Sequence, residues 1–377
     1  MNKKYVHNVS QGDDIVEKQI RSVNIKNQPG YLPIWIQSKL EYLRNIFYLK
    51  KRAINTFAEI DAEFMDPTTN SKDLYRLLAV GSSAEVLSEV LEILKRISAG
   101  FDTEQINNAF EAVERLYDGR FPGYRACNTG YHDFRHAIEA FLAMSRLIHG
   151  AVLDNESFSE RQIITALIAA ILHDVGYIQE ENDTRGTGAK HKADHEQRSM
   201  DFLSRHGLQF GLSEEEIAAG RAIILCTDMD ADITTINFPS AQIELLGKLL
   251  GTADLMAQLA EQTYLEKLLY LYYECQEAGV GDYESEADIL RKAVNFYDVF
   301  EARLRTMLGG VDRFMQLHFA SRWGINQNLY HEAINKQKDY LLKILSIPDS
   351  DPRDYLKQGG IVKKVRETYH KNTPKPR

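Results

Sequence analysis

Histidines and acidic residues occur in three separate stretches of this sequence in a pattern that suits metal chemistry. His132 and His136 lie four positions apart in "YHDFRHAIEA", which has a helical pattern and would place both imidazoles on one helix face. His173 and Asp174 are adjacent in "LHD", and Asp254 lies in the apolar stretch "LLGTADLMAQLAEQ". A lone ionised carboxylate is costly to bury there without a cation or hydrogen-bonding partners. These residues predict either a metal site shared by three helices or a buried polar network without metal.

Imidazole and carboxylate ligands together are typical of zinc, manganese, magnesium or iron as divalent ions. Such an ion lowers the pKa of bound water toward neutrality. Two ions roughly 3.5–4 Å apart can also bind the attacking and leaving oxygens of a displacement at phosphorus. A free imidazole, with an ordinary pKa of about 6.5, can protonate the departing oxygen. One or two divalent ions are therefore the expected cofactor.

The elements that must position these residues are predicted to be helices. Apolar residues recur at intervals of three and four rather than alternating, as in "ALIAAILHDV". No proline interrupts 123–238 or 240–347, so both spans can hold uninterrupted helices. The sequence therefore predicts an all-α fold.

Local signals predict where two of these helices begin and where one ends. Ser159 with Gln162 and Ser213 with Glu216 have the spacing of capping boxes. Gly176 predicts a left-handed helix stop directly after the "HD" dipeptide. The histidine and aspartate are thus expected at a helix end.

The N-terminal third shows no catalytic signature. Residues 1–30 are polar and patternless, which indicates a flexible terminus, and 31–118 reads as a helical segment that packs on or regulates the core. It should begin with one long helix and continue with helices around 84–98 and 103–118.

The remaining chain is predicted to form the catalytic core and a short extension. The core spans 119–346, and 347–377 is a C-terminal extension that ends in the frayed tail "KNTPKPR". The three cysteines lack CxxC spacing, which favours buried free thiols over a disulfide framework or a zinc knot.

Composition narrows the classes of partner and location. The net charge of −9 disfavours a nucleic-acid groove, because phosphate backbones are bound by concentrated Lys and Arg. No run of eighteen apolar residues occurs, and no apolar segment follows the first lysines. We therefore expect a cytoplasmic protein that binds neither nucleic acid nor membrane, with homo-oligomerisation left open.

The order of these motifs resembles the HD superfamily of metal-dependent phosphohydrolases. "YHDFRHA" is similar to the YHNxxHA motif of cyclic-nucleotide phosphodiesterase catalytic domains, and "CTDMD" resembles their ATDM stretch. The resemblance covers about a third of the chain and implies a multi-helix bundle of that type with an additional N-terminal segment. It implies that His132 is the general acid and that Asp174 can bridge to a second metal at the catalytic centre. It also implies four ligands of a divalent metal: His136, His173, Asp174 and Asp254.

Further residues follow the "HD" dipeptide. The stretch around His195 and Glu196 resembles the LENHH segment of the phosphodiesterases, which implies that Glu196 supports a ligand from behind. His195 either completes a second metal site or is solvated. Thr227 and Asp228 end a predicted helix, where a carboxylate is electrostatically unfavourable, so they either support the site or form a local cap.

The loop "DTRGTGAKHKAD" supplies candidate contacts for phosphate. Arg185, Lys190 and Lys192 can meet phosphate oxygens there, and a solvated flexible loop is the alternative. The chain reads "HDVGY" where the phosphodiesterases carry HDxxHPG. It is in this respect closer to bacterial HD phosphohydrolases, which act on phosphorylated nucleotides or phosphodiesters.

The leading hypothesis is a hydrolase that cleaves a small phosphoester or phosphodiester, such as a nucleotide or cyclic nucleotide, with metal-activated water. A second hypothesis is an oxygenase that resembles di-iron HD enzymes such as myo-inositol oxygenase. That enzyme would need two further histidine ligands, and the candidates are His191, His195 and His206. A third hypothesis is a non-catalytic helical sensor in which the metal is structural.

Overall fold

The computed structural model describes residues 70–78 and 81–369, which form thirteen α-helices with short 3-10 turns between some of them. Within this described part there is no strand or sheet, only an isolated antiparallel bridge between Tyr124 and Glu180. The all-α prediction is confirmed. The helices are α1 Asn70–Leu78, α2 Ser83–Ile97, α3 Glu104–Tyr117, α4 Phe134–Leu153, α5 Glu160–Leu172, α6 His195–His206, α7 Glu214–Ile224, α8 Ala241–Ala260, α9 Tyr264–Ala278, α10 Glu286–Thr306, α11 Arg313–Trp323, α12 Leu329–Leu345 and α13 Ile361–Tyr369.

Helix α4 lies at the centre of the bundle. Every residue from His136 to Ala151 is buried, because α2, α5, α8 and α11 pack around it. Helices α5 and α8 are also apolar around most of their circumference, as expected for core helices. The three stretches that carry the candidate ligands therefore meet inside the bundle.

The predicted helix starts are confirmed. The Ser159 hydroxyl accepts a hydrogen bond from the backbone N–H of Gln162, and the side-chain oxygen of Gln162 accepts one from the backbone N–H of Ser159. Ser213 and Glu216 form the same reciprocal pair at the start of α7. Each pair satisfies two backbone donors that the first helical turn leaves without partners.

The end of α5 is where it was expected, but the predicted reason is wrong. Gly176 has no positive φ angle and lies in the right-handed 3-10 turn Val175–Tyr177 that follows α5. A Cβ atom at this position would overlap the backbone carbonyl of His195. The glycine is therefore required by a close backbone approach that brings the start of α6 beside the "HD" dipeptide.

Two helices predicted before the core are observed as α2 and α3, which pack on α4 and α5 respectively. The flexible terminus at 1–30, the long first helix and the frayed tail lie outside the described residues. The division of the chain at residue 118 stays a prediction. No described helix combines the length and apolar character needed to cross a bilayer. The three cysteines are unpaired, and two of them are buried.

Candidate metal centre

Four candidate ligands converge at the junction of α4, α8 and the end of α5. The Nε2 atom of His136 lies 3.3 Å from Asp174 Oδ2 and 3.0 Å from Asp254 Oδ1. The Nε2 atom of His173 lies 3.3 Å and 3.5 Å from the same two oxygens. All four side chains are buried. The structure thus brings together two imidazoles and two carboxylates from three segments of the chain.

The facing atoms of this cluster are not satisfied by hydrogen bonds. His173 Nε2, Asp174 Oδ2 and Asp254 Oδ1 are buried and have no hydrogen-bond partner, although they lie close to one another. Buried polar atoms are rarely left in this state. Ligand atoms of His136, His173 and Asp174 lie within 4.8 Å of one another. This group can hold a metal ion, and Asp254 adds a fourth donor on the same side.

A helix cap fixes the position of His136, the first of the four candidate ligands in the sequence. Asp133 caps α4 and accepts a hydrogen bond from the backbone N–H of His136 at 3.0 Å, so His136 lies in the first helical turn. His132 precedes the cap and lies outside the helix. The expectation that both histidines share one helix face is therefore wrong. A capping aspartate between them makes the second a helical residue and leaves the first on the preceding turn.

The other imidazole is oriented by the backbone of its own helix. His173 Nδ1 lies 2.8 Å from the carbonyl oxygen of Ala170, which can accept a hydrogen bond from Nδ1–H. With the proton on Nδ1, the lone pair lies on Nε2 and faces the two carboxylates. A hydrogen bond from the distal ring nitrogen to a backbone carbonyl is the usual support of a metal-binding histidine.

Charges inside the cluster are strongly coupled. Burial acts to lower the pKa of His136, but the carboxylates of Asp174 and Asp254 outweigh it and raise the pKa to about 9. Burial acts to raise the pKa of Asp174, but His173 and His136 hold it well below its usual range. Without a cation, protons on the imidazoles supply the positive charge that the carboxylates require.

His132 is bound to a carboxylate that sequence reasoning missed. Its Nδ1 lies 2.6 Å from Glu274 Oε2 on α9, and both side chains are buried. Burial is the main cause that lowers the pKa of His132, and Glu274 opposes it. The pKa of Glu274 is below its usual value, because His132 and backbone donors outweigh burial.

Glu274 also shapes the turn before α4. Its Oε1 atom accepts hydrogen bonds from the backbone N–H groups of Gly130 at 2.9 Å and Tyr131 at 2.7 Å. A Cβ atom at Gly130 would lie 2.7 Å from the ring of Tyr270, so this approach requires glycine. The ring of His132 is stacked on that of Tyr177, with centroids 4.2 Å apart. His132 is thus held beside the cluster but is not part of it.

His195 and Glu196 lie next to the cluster at the start of α6. His195 Nε2 is 3.6 Å from Asp174 Oδ1, the carboxylate oxygen that faces away from His136. Its Nδ1 lies 2.9 Å from the carbonyl of Lys192 and 3.0 Å from Glu196 Oε2. His195 is therefore held with Nε2 toward Asp174, and Glu196 contacts it from behind.

Thr227 and Asp228 occupy different environments. Thr227 lines the cavity described below and donates its hydroxyl to the carbonyl of Ile224 at 2.8 Å. The carboxylate of Asp228 accepts a hydrogen bond from the backbone N–H of Asp230 at 2.8 Å. Asp228 thus caps the local backbone. The segment is held by buried Arg303, which donates to the backbone carbonyls of Asp228 and, at 2.8 Å, Met229.

One of the three candidate phosphate contacts reaches the site. Lys192 lines the cavity, and none of the described residues forms an ion pair with it. The ammonium of Lys190 instead pairs with Asp183 and donates to the carbonyl of Arg185. The side chain of Arg185 is exposed and does not line the cavity. Lys190 is thus engaged by Asp183 and Arg185 is exposed, so Lys192 is the candidate that lies at the cavity.

A cavity of about 230 Å³ opens onto the cluster. Its lining includes His132, His136, Asp174 and Asp254, and helices α9 and α10 form another part of its wall. A small molecule in this cavity would touch both the proposed ligands and the histidine that stands outside them.

Of the three candidates for the two further histidine ligands of an oxygenase, His195 alone approaches the cluster. His191 lies 3.2 Å from Asp183, and His206 lies 3.1 Å from the hydroxyl of Tyr124. No family model matches the sequence, and no curated protein matches it either.

Proposed function

We propose that this protein is a metal-dependent phosphohydrolase that cleaves a small phosphoester, with His132 as the general acid. The observation that carries the proposal is the buried set of unsatisfied nitrogen and oxygen atoms beside an imidazole that stands apart from it. A purely structural metal site would have little use for that separate histidine and its buried carboxylate.

His136, His173, Asp174 and Asp254 would hold the ion, and their mixed donor set suits zinc, manganese, magnesium or iron. When bound, a divalent ion polarises a phosphoryl oxygen and lowers the pKa of water. Asp174 offers its second oxygen beside His195 Nε2. These two atoms would contribute to a second ion site, with Glu196 behind the imidazole.

The protein groups orient and protonate the substrate. With Nδ1 of His132 hydrogen-bonded to Glu274, its Nε2 is the atom available to donate a proton to the leaving oxygen. The carboxylate of Glu274 stabilises the imidazolium form that this step requires. The stacked Tyr177 ring limits rotation of the imidazole, and its hydroxyl lies 3.5 Å from Nε2.

Lys192 would bind the phosphoryl group from another part of the cavity wall. A lysine ammonium is a compact point charge that commonly binds phosphate. The residue reaches the cavity from the loop before α6, which is fixed by the bond from Gly188 N–H to Asn128 Oδ1 at 2.8 Å. This support holds the loop before any ligand binds.

Two variants separate the proposed roles. Asp174→Ala should lose metal and activity together, because it removes a central ligand. His132→Ala should retain metal and lose about 10²- to 10⁴-fold in rate, the usual contribution of one general acid. Metal content is measured on purified protein, and hydrolysis on a panel that includes cyclic nucleotides and nucleoside monophosphates. Glu332→Gln, at an exposed position on α12, is the control.

Three outcomes would contradict the proposal. The first is equal loss of metal in both variants, since it would place His132 among the ligands. The second is metal-loaded protein that hydrolyses no phosphoester. The third is bound iron with oxygen consumption, which would favour the oxygenase.

A further inference from the structure

We infer that the part of the cavity formed by α9 and α10 binds a compact apolar group, aryl or branched alkyl, carried by the phosphoester. This inference rests on the proposed function and names the class of substrate. The group would contact an apolar wall, while the phosphate would lie beside Lys192 and the ion that the proposed ligands would hold.

The wall formed by α9 and α10 is built from apolar side chains. Leu268 and Leu271 contribute from α9, and Ile289, Ala293 and Phe296 contribute from α10. Leu268, Ile289 and Ala293 are buried, whereas Leu271 and Phe296 are partly exposed. Covering partly exposed apolar side chains with an apolar ligand group favours binding, because it removes their surface from water.

Lys292, which lines the cavity from α10, is already engaged. The ammonium of Lys292 lies 3.1 Å from Asp288 and 5.5 Å from the centroid of the Tyr283 ring. Gln258 lines the cavity from α8, and its amide oxygen accepts a hydrogen bond from the hydroxyl of Tyr131 at 2.7 Å. A polar substrate group placed here would have to compete with these contacts, whereas an apolar group would leave them in place.

The volume limits the size of the occupant. The cavity has a volume of about 230 Å³. It is smaller than the ~300–1,000 Å³ pockets that enclose drug-sized ligands. The cavity can thus enclose a phosphoryl group and one ring-sized substituent. A polynucleotide or a phosphorylated protein would not be enclosed.

The test compares benzyl phosphate with methyl phosphate on the manganese-loaded full chain. Both esters release an alkoxide of similar basicity, so a difference in kcat/KM reports mainly on the substituent. We expect benzyl phosphate to be favoured about 30-fold, which is about 2 kcal/mol at ~1.4 kcal/mol per tenfold. This is the range for burying one apolar side chain.

Two variants locate the preference in the wall. Ala293→Leu fills the space and Phe296→Ala removes part of the surface, and each should reduce the benzyl-to-methyl ratio at least about fivefold. Val299→Leu, at an exposed position on the same helix, should leave the ratio unchanged. Because the readout is a ratio within one protein sample, partial unfolding of a variant does not alter it.

A binding measurement separates this inference from the proposed function. If methyl phosphate is hydrolysed with a benzyl-to-methyl ratio near one, the apolar site is refuted and the hydrolase stands. If neither ester is hydrolysed but benzylphosphonate binds about 30-fold tighter than methylphosphonate by calorimetry, the apolar site stands and the hydrolase fails. Absence of both hydrolysis and selective binding overturns both.

Discussion

The replacement Glu274→Gln should weaken the proposed general acid without removing the metal. Glu274 Oε1 binds two backbone N–H groups, and its Oε2 faces Nδ1 of His132 at 2.6 Å. A glutamine that keeps its oxygen on the backbone donors turns its NH₂ group toward the imidazole. Since this group is a donor, Nδ1 must become an acceptor, and the imidazolium form loses its support.

The size of the effect follows from the charge that is removed. Two unit charges about 4 Å apart interact by ~4 kcal/mol at an effective dielectric constant of ~20, and Glu274→Gln removes this interaction from the imidazolium form of His132. Water and the amide dipole recover part of this interaction, so we expect the imidazolium form to lose ~1.4–2.8 kcal/mol and the pKa of His132 to fall. At pH 7 the protonated fraction, and with it kcat, should fall about 10- to 100-fold.

The assay is the pH profile of kcat together with the metal content of the same sample. In Glu274→Gln, the limb on which activity falls with rising pH should move ~1–2 units lower, while metal content stays equal to wild type. Glu332→Gln provides the control for loss of one carboxylate. An unmoved limb at full metal content would refute the role given to Glu274, and loss of metal would show that it supports the ligands instead.

Three further predictions concern stability and metal binding. Arg146 is fully buried and donates to the carbonyls that end α1, so Arg146→Met should lower the free energy of unfolding in urea by about 2–4 kcal/mol, with Arg146→Lys in between. His149 lies 3.0 Å from His318, and burial lowers its pKa to about 4. As pH falls below ~6.5, His149 is therefore protonated in the unfolded chain before it is protonated in the folded protein. Stability should drop by about 2 kcal/mol between pH 7 and pH 5 from this residue, and His149→Gln should remove that part of the slope. The pKa of His136 is about 9 without a cation, so Mn²⁺ binding at pH 7 should release at least one proton and weaken as pH falls. Calorimetry in buffers of different ionisation enthalpy measures this release, and Asp254→Asn should abolish the binding.

The helical architecture could be predicted because its signals are local. Apolar spacing and two capping boxes depend on neighbours within one turn, and the structure confirms both. The placement of His132 could not be predicted in the same way, since one capping residue decides whether it belongs to α4. Lys190 and Lys192 differ for a similar reason. The loop conformation places Lys190 in an ion pair with Asp183, whereas Lys192 lines the cavity.

Glu274 was missed although a signal for it exists. Asp254 is a candidate because a carboxylate in an apolar helical stretch requires a partner, and Glu274 lies in the comparable stretch "LLYLYYECQEA". The sequence cannot say which donor satisfies such a carboxylate, because the partner lies 142 positions away on another segment. The same reasoning applied to α9 would have marked Glu274 as a candidate without giving its role.

The ligand segments are held in place by contacts that do not involve an ion. Asp133 fixes the start of α4, and Gly176 lets the backbone of His195 approach the end of α5. On α8, a Cβ atom at Gly251 would lie 2.5 Å from the carbonyl of Cys226, so glycine lets this segment pack closely one turn before Asp254. Because these contacts order the site in advance, little of the binding free energy of an ion is spent on folding. The centre thus differs from small zinc domains, in which metal binding and folding are one event. An ion held here would lie in a fixed geometry beside His132, as the proposed catalysis by positioned groups requires.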